Sequence, residues 1–158
     1  MEIKITSGTG RGVTELAAFD KALFDAGIAN YNLIKLSSVI PAHTEIVKEK
    51  ITEYNNNEYG YKLYIVLAES RVIVPGEKAV AGIGWVKHSP GEESGLFVEF
   101  DGKSEEEVKD KITSTLKSMC SYRPEEVGEI QMVIESVECV DQPVCALVAA
   151  VYKSEGWQ

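Results

Sequence analysis

The feature that most constrains the fold is the apolar run from Val144 to Tyr152, which contains CALVAAV. A strand with one wet face alternates apolar and polar residues, whereas a continuous run of this length fits a strand covered on both faces. Two stacked sheets with helices outside them satisfy that requirement. Thr14 caps a helix through ELAAFDKALFDA, and Gly27 stands where a helix end takes a left-handed residue. Its expected apolar stripe is Leu16, Phe19, Leu23 and Phe24; Asp20, one turn from Leu16 and from Phe24, borders that face. Ser104 and Glu107 form a capping box for a second helix, with Val108, Ile112, Leu116 and Met119 on one face. Strands are expected at residues 2–6, 31–36, 61–69, 79–86, 95–100, 129–137 and 144–152. Turns are expected at Pro75-Gly76 and at HSPGEES, residues 88–94. SGTGRG reads as a glycine-rich connection without phosphate-loop spacing, and residues 41–59 as a long irregular loop. The order implies one α+β domain over residues 1–158 with mainly antiparallel sheets.

The formal charge of −9, from 25 acids and 16 bases, argues against nucleic acid as a partner, because phosphate contacts need a basic patch. No apolar run reaches membrane-spanning length, so no membrane partner is expected, and the opening MEIKITSGTG lacks the pattern of a secretory signal. Cys120, Cys139 and Cys145 have no zinc or redox spacing; they read as buried thiols of a cytoplasmic protein. With His43 and His88 the only imidazoles, a histidine-based triad or metal cluster has little to build with.

YNLIKLSSVIP, residues 31–41, ends an extended run on two adjacent serines before Pro41. No GxSxG elbow surrounds them, which leaves a plain turn or a different chemistry. If the backbone strains the Ser37–Ser38 peptide bond, the Ser38 hydroxyl can attack the Ser37 carbonyl and form an ester. β-Elimination then breaks the chain, and hydrolysis of the dehydroalanine leaves a pyruvoyl ketone at the new N-terminus. This chemistry needs a downstream hydroxyl, a polarised carbonyl and a geometry that holds both.

The segment FDKALFDAGIANYNLIKLSSVIP resembles the processing region of the pyruvoyl-dependent arginine decarboxylases, and GLFVEFDGKS and CALVAAVYK are similar to that family at comparable positions. The resemblance implies a four-layer α-β-β-α sandwich, cut between Ser37 and Ser38 and assembled as a homotrimer of cleaved protomers, or a dimer of such trimers. Active sites then lie at subunit interfaces. It implies that Ser38 becomes the covalent pyruvoyl cofactor, with no metal and no pyridoxal phosphate. Asn32 matches an asparagine that assists self-cleavage; a side-chain amide there could equally satisfy backbone at a strand edge.

Glu99 matches the catalytic proton donor. It shares the Phe97 side of its strand, where burial would raise its pKa; a solvated carboxylate is the alternative. Asp20 matches the residue that holds the substrate guanidinium, with backbone carbonyls near Ala29 and Tyr31 as further acceptors, though the family often has other side chains there. The implied reaction converts L-arginine to agmatine and carbon dioxide through a Schiff base with the pyruvoyl ketone. Alternatives are a pyruvoyl decarboxylase of another amino acid, such as lysine, and an uncleaved oligomeric binding or scaffold protein of the same fold. Tyr31, Tyr59, Tyr61, Tyr64 and Trp85 are candidate aromatic contacts between subunits, although core packing would explain them equally well.

Overall fold

The computed structural model describes residues 1–89 and 94–158; the turn expected at 88–94 falls partly outside them. In chain order the elements are β1 (Glu2–Arg11), α1 (Glu15–Asp25), β2 (Asn32–Lys35), β3 (Val39–Ile40), β4 (Glu45–Lys48), a 3₁₀ turn (Asn56–Glu58), β5 (Lys62–Val72), β6 (Lys78–Lys87), β7 (Gly95–Gly102), α2 (Glu105–Ser121), β8 (Gln131–Glu138) and β9 (Val144–Glu155). One sheet has the order β2-β5-β9-β1-β4 and the other β3-β7-β6-β8. Among the described residues only β2 with β5 and β1 with β4 pair in parallel, so both sheets are mainly antiparallel.

Three apolar layers stack these elements. Ala18, Ala22 and Leu23 of α1 pack against Leu63, Ile65, Cys145, Leu147 and Ala149. Between the sheets lie Ile3, Ile5, Val66, Val148 and Ala150, facing Ala81, Ile83, Trp85 and Phe97. Val108, Ile112 and Leu116 of α2 cover Val80, Val86, Leu96 and Val98. The order is therefore helix, sheet, sheet, helix. Strand β9 alternates its side chains between the first two layers, so both of its faces are apolar.

Two expectations fail at the N-terminus for one reason. The glycine-rich stretch is strand, not loop: β1 pairs with β9 continuously from Lys4 to Arg11. Gly8 and Gly10 face α1, where an added Cβ would lie 2.3 Å from the carbonyl oxygen of Ala22 and of Ala18. With so little room, α1 docks through Ala18, Ala22 and Ala26, all fully buried, while Leu16 is 67% exposed and Phe24 45% exposed. Of the expected stripe Leu16 and Phe24 point outward, whereas Leu23 is buried and Phe19 packs half-buried against the same layer; Asp20 lies on the exposed side rather than at the border of the buried face.

The long loop also contains more structure than its polarity suggests. Its EIVK segment is β4, parallel to β1, with Ile46 tucked against the inter-sheet core. Four residues are too few for a periodic signal. Gly27, at φ +77°, and the Ser104 cap on the Glu107 N–H (3.1 Å) behave as expected. The Glu107 carboxylate, however, accepts from Lys103 N–H at 2.9 Å rather than from the cap residue.

Replacing Gly10 with alanine would drive a methyl into the α1 backbone. A loss of about 2 kcal/mol or more is expected in chemical denaturation, the size of overpacking a tight core; an unchanged midpoint would refute this close docking.

Candidate active site

The serine pair is where the chain crosses from one sheet to the other. Leu36 N–H still donates to Ile65 O on β5 at 2.8 Å, in the five-stranded sheet. Two residues later, Phe97 N–H donates to Ser38 O at 2.9 Å, and Val39 already pairs with Leu96 in the four-stranded sheet. Only Ser37 and Ser38 span the gap, and Ser38 takes φ +73° to do so. A left-handed backbone costs a non-glycine residue about 1–2 kcal/mol and persists only where its surroundings enforce it. Here the enforcement comes from hydrogen bonds to two different sheets.

The turned backbone aims the Ser38 hydroxyl at Glu99, to whose Oε2 it donates at 2.8 Å. Glu99 lies on β7 on the same side as Phe97, which packs between the sheets, as its place in the sequence suggests. Burial of part of the carboxyl group raises its pKa above the usual glutamate value, against the opposing hydrogen bond from Ser38. The residue as a whole remains exposed, with its carboxyl only partly covered. The carboxyl therefore both accepts from Ser38 and keeps a proton at higher pH than a solvated glutamate.

Tyr152, on β9, completes this corner and was not singled out from the sequence. Its ring meets Phe97 edge-on at 6.2 Å, and its hydroxyl donates to Val39 O at 2.9 Å. Burial, followed by the nearby Glu99 charge, pushes the phenol up to about 12, so it stays protonated. The signal was the alternation Val148, Ala150, Tyr152, which puts the ring on the inter-sheet face.

The other candidates stand apart from this pair within one protomer. Asp20 projects from α1, outside the five-stranded sheet, and is exposed. Ala29 is buried under α1. Tyr31 is half-buried, and its hydroxyl donates to Glu58 at 2.5 Å. Asn32 opens β2, and its amide donates to Gly60 O at 2.8 Å. Five residues of extended chain separate Asn32 from Ser37, about 16 Å at about 3.3 Å each. Among the aromatic candidates, Trp85 is core, 2% exposed and edge-on to Phe97 at 6.0 Å. Tyr59 is 68% exposed.

Among the described residues no helix is long and apolar enough to cross a membrane, and no group of three or more His, Cys, Asp or Glu could hold a metal ion.

A four-layer sandwich with a left-handed serine at the sheet crossover, hydrogen-bonded to a glutamate with a raised pKa, sets a hydroxyl and a carboxyl together at a main-chain corner. The profile of the pyruvoyl-dependent arginine decarboxylases matches residues 2–156. Relatives of that name come from Thermococcus kodakarensis (35% identical, covering 93% of this chain and 91% of the relative), Halobacterium salinarum (34%, 95% and 92%) and Methanothermobacter thermautotrophicus (34%, 96% and 96%). The chain belongs to the pyruvoyl-dependent arginine decarboxylase family, whose reactive group is a covalent pyruvoyl.

The left-handed serine can be tested without any activity assay. Ser38→Gly and Ser38→Ala both lose the hydrogen bond to Glu99, but only glycine adopts φ +73° at little cost. The glycine variant should be more stable by about 1 kcal/mol in denaturant titration; equal stabilities would show that the corner is not strained.

Proposed function

We propose that the chain cuts itself between Ser37 and Ser38, converts Ser38 to the pyruvoyl group, and decarboxylates L-arginine to agmatine and carbon dioxide. The observation that carries this reading is the Ser38 hydroxyl, held 2.8 Å from Glu99 on a residue at φ +73° between two sheets. Those features fit the origin of a pyruvoyl group: a downstream hydroxyl, an acceptor for its hydrogen bond, and a peptide bond under local strain.

In processing, Ser38 Oγ bonds to the Ser37 carbonyl carbon as the Ser37–Ser38 C–N bond breaks; Glu99 orients the hydroxyl by accepting its hydrogen bond, and the hydroxyl proton ends on the freed Ser38 nitrogen. Elimination frees the Ser37 carboxylate. Water then replaces the nitrogen of Ser38, which leaves as ammonia. The pyruvoyl ketone supplies a carbonyl that condenses with the substrate α-amine and accepts the electron pair left as carbon dioxide departs. Glu99, whose raised pKa favours the protonated form, returns a proton at the carbon that has lost the carboxylate.

Asp20 takes the guanidinium as a two-donor fork, assisted by carbonyls at Ala29 and Tyr31. These groups and Asn32 lie away from Ser38 in one protomer, so the complete site forms between copies in a homotrimer. Asp20, Ala29, Tyr31 and Asn32 of one copy then meet Ser38 and Glu99 of the next. The three free cysteines suit a reducing cytoplasm.

Four outcomes test this reading. Ser38→Ala should remain one full-length band on a denaturing gel and be inactive, whereas Glu99→Gln, whose amide oxygen still accepts from Ser38, should be cut yet release little agmatine. Co-refolding Glu99→Gln with Asp20→Asn should restore activity that neither variant has alone; no recovery would place the site within one protomer. For the wild type, kcat should fall as pH rises through the raised Glu99 pKa, because the donor loses its proton; an alkaline side without that fall would remove Glu99 as the donor. Arginine should be turned over at least about tenfold better than lysine, which offers Asp20 a point charge in place of a fork.

A further inference from the structure

The residue that follows the scissile bond is tied down in an unusual way. Among the described residues strand β3 is the edge of its sheet and pairs only with β7. In an antiparallel pair, successive carbonyls of a strand point alternately towards and away from the neighbour. Ser38 O points to β7, where Phe97 N–H donates to it at 2.9 Å, so the next carbonyl, that of Val39, points away from the ladder. Tyr152 fills that position. Its hydroxyl donates to Val39 O at 2.9 Å from β9, a strand of the opposite sheet.

The two residues of the crossover are thus clamped from both sides to the same sheet: Leu36 through β5 and Val39 through Tyr152. Ser38 is also fixed to β7 through its own carbonyl. With Leu36 and Val39 held, little freedom is left to relax the turn at Ser38, and the side-chain oxygen stays directed into the corner. The ring of Tyr152 is itself held edge-on by Phe97, the residue whose amide binds Ser38 O. Its hydroxyl has no alternative ionised form at working pH, since the phenol is pushed up to about 12 by burial and then by Glu99.

We propose that Tyr152 is a positioning residue for self-processing: by donating across the sheets to Val39 O, it holds the peptide downstream of Ser38 so that Ser38 Oγ is aimed at the Ser37 carbonyl. After cleavage the same hydrogen bond holds the Val39–Ile40 peptide, one beyond the amide next to the ketone, whose carbonyl Phe97 N–H holds; together they orient the ketone for turnover. This rests on the reading that the chain is cut before Ser38. The bond change it assists is the acyl shift described above, with no further reactant.

The test is Tyr152→Phe, which removes one hydroxyl and keeps the ring against Phe97, with Tyr122→Phe on the exposed end of α2 as a control. Full-length precursor is refolded well below its melting midpoint, and cleavage is followed on denaturing gels with and without hydroxylamine, which splits the ester formed by the acyl shift. For Tyr152→Phe, both spontaneous cleavage and hydroxylamine-released cleavage should slow about tenfold, the loss of roughly one hydrogen bond's worth of alignment. Tyr122→Phe should match the wild type. Once processed, Tyr152→Phe should show a lower kcat at unchanged KM.

A folded Tyr152→Phe chain that forms ester at the wild-type rate overturns the positioning role while leaving self-processing intact. A wild-type chain that is never cut overturns the underlying reading instead. If Tyr152→Phe also melts lower, the comparison at temperatures where both chains are fully folded decides: a persisting rate difference supports alignment, and its disappearance refutes it.

Discussion

The structure depends on one constraint: the chain must pass between two sheets in two residues. Leu36 is still bonded to β5 and Ser38 is already bonded to β7, so the intervening backbone has neither the length of a loop nor a ladder of its own. That forces Ser38 into the left-handed region and points its hydroxyl at Glu99. The apolar layers matter to the site because they fix where the two sheets stand. A sheet that shifted or slid would lengthen the crossing and relax the turn.

Small residues set those positions. Gly8 and Gly10 let α1 lie on β1 at backbone distance, and Gly84 makes room for the Ile112 side chain of α2, whose Cγ2 a Cβ would meet at 2.1 Å. Each helix is thereby locked against its sheet, and the inter-sheet layer is held by Trp85, Phe97 and the aliphatic residues around them. A cut at the crossover would leave β1, α1 and β2 on the shorter piece. Since β1 lies between β9 and β4, and β2 pairs with β5, that piece would remain woven into the larger sheet. The fold can therefore accommodate a broken main chain at this corner.

Much of this was legible in the sequence. The apolar run of β9 required cover on both faces, and the alternation around Phe97 put Glu99 on the inter-sheet side. The serine pair stood out because it ended a strand without an evident turn residue. Other parts were hidden for physical reasons. Periodicity weights large side chains, so it chose Leu16 and Phe24 over the alanine ridge that docks, and it placed Asp20 beside a buried face that lies elsewhere. Glycines read as a loop because their role, admitting a helix backbone, depends on a partner distant in sequence. Hydrogen bonds from the Phe97 amide and the Tyr152 hydroxyl belong to the tertiary fold and have no local pattern. Asp20, Ala29 and Tyr31, expected at the substrate, and Asn32, expected in self-cleavage, were grouped with Ser38 by resemblance, whereas one protomer keeps them apart.

The most direct measurement of the central claim is the intact mass of the purified protein, taken before and after labelling with a carbonyl-reactive hydrazine. Processing before Ser38 predicts two chains. One ends at Ser37 with an ordinary carboxylate; the other begins at position 38, lacks that residue's nitrogen and takes up a single label. A single full-length mass, a cut at another bond, or a cut at this bond without a labelled ketone would contradict it.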